Sequence, residues 1–121
     1  MISVAAYDAF YESYADFSGR GNVYGGRFAK PDLAAPGVDI STTASGGGYE
    51  SVTGTSFAAP FVTGTSALLM QWGIKLGNDP YLYGEKVKAS LIRGARHLSG
   101  FAEWPNSQLG YGALCAADSI L

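Results

Sequence analysis

From Phe57 to Trp72 the chain carries no charged side chain, a run long enough for about four turns of α-helix. A helix apolar on every side has no face to offer water, so a buried central helix is expected from about residue 55 to 72. Its small residues Ala58, Ala59, Gly64 and Ala67 would let neighbouring elements approach closely. Such a helix must be covered by other layers, which points to a layered α/β domain. At 121 residues there is room for one such domain and not for two.

The flanking sequence supplies the other layers. Ile2-Ser3-Val4-Ala5-Ala6-Tyr7 alternates with β-branched residues and predicts a strand near 2–7, and Val38 to Thr43 predicts a second near 38–43. Between Lys30 and Gly37 an apolar step is bracketed by Pro31 and Pro36. The glycine-rich Ser45–Ser51 stretch has too little side chain to hold a regular element, and reads as a loop delivering the chain to Gly54-Thr55-Ser56. Gly73 and Gly77-Asn78-Asp79-Pro80 should stop the central helix. An amphipathic helix near 84–96 follows, with Val87, Leu91 and Ile92 against Lys86, Lys88 and Arg93, and a short apolar one near 113–120. Asp79 before Pro80 reads as the cap of a helix beginning there. The tyrosine-rich segment from Tyr7 to Tyr24 reads as a surface loop region whose aromatics either form a binding surface or, the commoner case, pack against the scaffold.

Composition removes several classes of function. Charged residues make up 15% of the chain against roughly 25% in soluble domains, while 47% hydrophobic content argues against disorder. A chain so poor in charge is expected either to self-associate or to be a piece whose faces more protein covers. The second reading is favoured, because Met1 leads at once into what looks like an interior strand, and the isolated piece is expected to self-associate as a dimer or higher assembly through its uncovered faces. A net charge of −2 leaves no footprint for nucleic acid or an anionic membrane. No segment has the length of a membrane span or the pattern of a signal peptide. A lone Cys115 and a lone His97 give neither a disulfide nor a zinc site, and the acidic residues are too scattered for calcium. No metal or cofactor is expected.

Ser56 stands at the head of the apolar helix, where the first N–H groups lack intrahelical partners and the dipole is positive. A negative charge developing on a carbonyl attacked by Ser56 would be stabilised there by the Ser56 N–H, with Thr55 able to add a hydroxyl donor. Pro60 lacks the N–H that would meet the Ser56 carbonyl, so the helix is expected to bend at its start. The same features suit a plain N-capping serine.

The blocks Lys30-Pro31-Asp32-Leu33-Ala34-Ala35-Pro36-Gly37-Val38-Asp39-Ile40 and Gly54-Thr55-Ser56-Phe57-Ala58-Ala59-Pro60, then Val62-Thr63-Gly64, resemble the C-terminal part of the subtilisin-like serine protease domain. The likeness continues through Val87 to Ala95 and Gly110-Tyr111-Gly112-Ala113-Leu114, nearly the whole chain. The segments 78–86 and 108–115 look like the branch containing bacterial spore-germination proteases. The resemblance implies a three-layer α/β fold and an endopeptidase acting through an acyl-enzyme on a protein or peptide substrate. It puts Ser56 at the nucleophile and Thr55 at the oxyanion support. Phe61 departs from the histidine many members have after the proline, a position that is not the base. Secretion, the spore and the cytoplasm are all compatible with the family.

A serine nucleophile needs a base and a group that orients it, and in subtilisin these come in the order Asp, His, Ser. No histidine precedes Ser56, and Asp8, Asp16, Asp32 and Asp39 lie outside the family's aspartate motif. The chain alone is therefore expected to be inactive, lacking the catalytic aspartate, histidine and oxyanion asparagine. Ser56, Asp79 and His97 follow the α/β-hydrolase order, but Gly54-Thr55-Ser56-Phe57-Ala58 lacks the second glycine of that family's nucleophile turn. His97 reads instead as a basic residue at a helix C-terminus or in solvent. Cys115, among alanines and Leu114, reads as a small buried hydrophobe. The rival to an enzyme is a non-catalytic protease remnant that acts as a binding or assembly module.

Overall fold

The computed structural model describes residues 2–19, 31–101, 104–106 and 108–120. Lys30, Tyr24 and Phe28 fall outside them. The elements run β1 (Val4–Asp8), β2 (Ser13–Tyr14), β3 (Leu33–Pro36), β4 (Ile40–Thr43), β5 (Tyr49–Val52), α1 (Thr55–Met70), a π-helical turn (Gln71–Lys75), α2 (Glu85–Arg93) and α3 (Ala116–Ile120).

β1 lies between β2, which is antiparallel to it, and β3, which is parallel, with Val4 opposite Leu33 and Tyr7 opposite Pro36. Successive side chains point to opposite faces, so Ala6, Leu33 and Ala35 enter the core under α1 while Ala5, Tyr7 and Ala34 enter a second core. The second core is closed by Leu98, Leu109 and Ala113, with Phe101 and Trp104 packed against it. A parallel pair buried on both faces accounts for the uninterrupted apolar run in β3. The sheet is widened by single rungs: Ala113 bridges to Ala34 on one side and to Arg96 on the other. The bracketed step between the prolines is thus a strand.

α1 meets the sheet along Ala58, Val62, Thr65 and Leu69, one stripe at helical spacing. The buried Thr65 hydroxyl donates to the Phe61 carbonyl at 2.8 Å, satisfying it within the helix. The expectation of burial all round is corrected here: Phe61, Leu68 and Met70 are 41%, 55% and 36% exposed. The sheet, α2 and α3 pack on one side of the helix, and these residues on its other side stay partly open to water. The helix runs unbroken through Pro60 and, contrary to expectation, through Gly73 as π-helix to Lys75. Gly73 serves close packing instead, since a Cβ there would stand 2.8 Å from the Leu82 Cβ.

Four other boundaries differ from the sequence reading. β5 pairs with β4, Ile40 opposite Val52 and Thr43 opposite Tyr49, so the Ser45–Ser51 stretch is a hairpin rather than a plain loop. Gly46, Gly47 and Gly48, all at positive φ, form its turn, and the backbone ladder needs no buried side chain. α2 begins at Glu85 with Gly84 at its cap, so Asp79 does not cap it. The Asp79 carboxylate accepts from the Tyr81 N–H at 3.2 Å in a turn and pairs with Lys86 at 2.6 Å. α2 ends at Gly94, which sits so close to α3 that a Cβ would lie 2.6 Å from the Ser119 nitrogen. Beyond it, Arg96 exchanges two backbone hydrogen bonds of 2.8 Å with Ala113, drawing both residues out of helices and leaving α3 to start at Ala116.

Candidate active site

Gly54 caps α1 with φ 155° and ψ 160°, a backbone region open in practice to glycine alone. Its N–H donates to the Gly37 carbonyl at 2.8 Å, tying the head of α1 to the end of β3. Gly37 in turn donates its N–H to the Tyr7 carbonyl at 3.1 Å, and a Cβ there would stand 2.6 Å from that of Ala6. Two glycines that approach backbone to backbone therefore position Thr55 and Ser56 from the parallel pair. Both lie in blocks singled out in the sequence, but their positioning role becomes visible only when the strands and helix are brought together.

Thr55 is half-buried at the first helical position and Ser56 is exposed at the second. Ser56 does not act as a cap: among the described residues no side chain caps α1, and its hydroxyl has no hydrogen-bond partner. The Phe57 N–H turns back to the Gly54 carbonyl at 3.1 Å, while among the described residues the Ser56 N–H meets no backbone acceptor. No acidic side chain occupies the first turn, so nothing on the helix offsets the positive end of its dipole. An exposed hydroxyl beside an open N–H at such a terminus can both attack a carbonyl and stabilise the oxyanion that results. A groove of about 250 Å³ runs alongside, between Phe57, Pro60 and Phe61 on α1 and Ile40 to Thr42 on β4.

The structure does not bring the other titratable candidates to Ser56. His97 is exposed and its ring stacks on Trp104, centroids 4.4 Å apart, at the core on the sheet face away from α1. Asp79 is held at the far end of α1 by Lys86, whose hydrogen bond keeps its carboxyl below the usual carboxylate range. Asp32 is buried against the Ser3 N–H at 2.9 Å and pairs with Lys88 at 3.4 Å, a tie between β1, β3 and α2. Cys115 is half-buried rather than fully buried, its carbonyl accepting from the Ser119 hydroxyl at 2.7 Å. Among the described residues no group of histidine, cysteine, aspartate or glutamate is placed to hold a metal ion. Among the described residues no helix is long and apolar enough to cross a membrane.

The subtilase family model matches residues 1–112. The minor extracellular protease Vpr of Bacillus subtilis is 33% identical over 120 residues, covering 93% of this chain and 14% of that protein. The PII-type proteinase of Lactococcus lactis subsp. cremoris is 37% identical over 81 residues, covering 67% of this chain and 4% of its own. The solved structure of the Clostridium perfringens CspB protease is 44% identical with a TM-score of 0.94, covering 99% of this chain and 25% of that one. The chain thus spans a quarter or less of the length of each of these three relatives.

Proposed function

Because this chain belongs to the subtilase family, we propose that Ser56 is the nucleophile of a serine endopeptidase acting on protein or peptide substrates. The observation that carries the reading is the exposed, unpartnered Ser56 hydroxyl at the second position of α1, held from behind by the Gly37–Gly54 hydrogen bond. In the proposed reaction the Ser56 Oγ attacks the scissile carbonyl, the C–N bond of the tetrahedral adduct breaks to release the protonated amine, and water hydrolyses the acyl-enzyme that remains. The Ser56 N–H and the Thr55 hydroxyl donate to the oxyanion. The proton of Ser56 passes to a histidine outside these 121 residues, since His97 lies across the sheet. On this reading the 121-residue chain alone is inactive.

The test is covalent labelling by a fluorophosphonate, read by intact mass. The full-length protein should gain one adduct at Ser56, and Ser56→Ala should gain none. An adduct on the isolated chain would return His97 to consideration as a base, and an unlabelled full-length protein would remove Ser56 from the role.

A second reading rests on a separate observation, the exposure of Phe61, Leu68 and Met70 on α1. Apolar residues left open along one helix suit an assembly surface, and the isolated chain should then self-associate. Size-exclusion chromatography showing a compact monomer would count against it.

A further inference from the structure

The tip of the β1–β2 hairpin presents Phe10 and Tyr11 to water at 86% and 74% exposure, contrary to the expectation that these aromatics pack inward. Their rings meet edge to face, centroids 5.0 Å apart. The tip is built rather than loose. The Asp8 carboxylate accepts from the Phe10 and Tyr11 N–H groups at 3.0 and 3.2 Å, and Glu12, at φ 52°, is pinned by Arg96 at 2.6 Å. A turn this closely tied that still spends two aromatic side chains on solvent is organised for contact with something else.

Behind the pair lies a groove of about 640 Å³, with Val38 and Ile40 as its apolar side and the carboxylates of Asp8 and Asp39 on its rim. Asp39 is exposed at φ 53°, fixed by its N–H donating to the Thr53 hydroxyl at 3.0 Å. Among the described residues nothing pairs with its carboxylate, and one oxygen of Asp8 is likewise open. No cationic side chain is among the described residues lining the groove. Exposed ring faces, an apolar side and two carboxylates together match a cation on a long aliphatic stem. Ile40 lines both this groove and the one between β4 and the first turns of α1, so the two depressions share one lining residue.

We propose that this groove is an outlying subsite that receives a lysine or arginine side chain of an extended peptide engaged at Ser56. The proposal rests on the endopeptidase reading and adds a preference for a basic residue at a distance from the scissile bond. The guanidinium or ammonium group sits over the Phe10 and Tyr11 rings and faces Asp39, while its methylene stem covers Val38 and Ile40.

The experiment uses the full-length protein carrying Ser56→Ala, so that a bound peptide is not consumed. Fluorescein-labelled positional peptide libraries, with arginine, norleucine or glutamate fixed at each position in turn, are titrated by anisotropy. Arginine should be favoured over glutamate by about fivefold or more at one outlying position. Asp39→Asn, and separately the pair Phe10→Ser with Tyr11→Ser, should each reduce that preference about two- to fivefold. With Ser56 restored, both variants should still be labelled by the fluorophosphonate. Absence of an arginine preference at every position, or a preference that survives both variants, overturns the proposal. Binding to phosphatidylcholine vesicles that is lost with Phe10→Ser, without peptide discrimination, also overturns it by assigning the aromatic pair to a lipid surface. An arginine preference in a protein never labelled at Ser56 would sustain the groove and remove the nucleophile, so the two readings fail separately.

Discussion

The β1–β3 pair and the β4–β5 hairpin are both two-strand units of similar length, yet they are held by different forces. In β1 and β3 every residue from Ala5 to Tyr7 and from Leu33 to Ala35 is buried, with side chains committed to cores on both faces. In the hairpin the backbone ladder does the holding, and β5 has no buried side chain. The first unit ends at Gly37 and braces the helix that bears Ser56, while the second lines the groove in front of that serine. Buried side chains thus stand behind Ser56 and exposed ones beside it, an arrangement that suits the proposed role of a fixed attacking atom.

The contrast can be broken in several ways. Ser56→Ala in the full-length protein should abolish fluorophosphonate labelling and lower proteolysis at least about a thousandfold, with little change in the melting curve because the side chain is exposed. Leu33→Ala, at a fully buried position in the braced unit, should cost about 2–5 kcal/mol in denaturant titration. Gly37→Ala puts a methyl group 2.6 Å from the Ala6 Cβ and 2.9 Å from the Gly54 carbonyl oxygen. It should cost about 1–3 kcal/mol and, unlike Leu33→Ala, slow labelling in protein that remains folded. Tyr49→Ser on β5, 79% exposed, should stay within about 0.5 kcal/mol of the parent, and a larger loss would show that the hairpin is more than a backbone ladder.

The smallest effect concerns pH. The Asp79 carboxyl is held below the usual carboxylate range in the folded state, first by the hydrogen bond from Lys86. A depressed carboxylate favours folding above its unfolded pKa, and that contribution disappears as pH falls through the lower folded value. Lys86→Met should therefore lower the melting temperature slightly at pH 6 and not at all near pH 2. The pair is solvent-exposed, so a large difference at pH 6 would contradict its surface character.

What could be read in advance follows the same division. α1 was legible because sixteen residues without charge leave few alternatives, and the family because two separate motifs stand in its order. β3 was obscured by its brevity and by alanines, which are poor strand formers judged by propensity and suit a strand only when both faces are covered. β5 was obscured because an exposed strand leaves no apolar alternation to detect. The exposure of Phe61, Leu68 and Met70 was illegible for a different reason: the helix pattern records that a residue is apolar, not whether its cover lies in the same 121 residues. For the aromatics of the hairpin tip, Phe10 and Tyr11, packing was the favoured reading over a binding surface because it is their commoner fate, and the Asp8 turn that holds them outward shows only in the folded chain.

The rung at Ala113 has a consequence in time. Gly112 and Leu114 supply the two backbone bonds to Ala34, so the outer edge of β3 is sealed by residues that leave the ribosome long after β3 itself. Closing so long a loop carries an entropic cost that local contacts cannot offset early. During synthesis the segment bearing Ser56 is complete as polypeptide well before the sheet behind it is finished. The geometry around Ser56 is therefore fixed only once the residues flanking Ala113 have docked on β3.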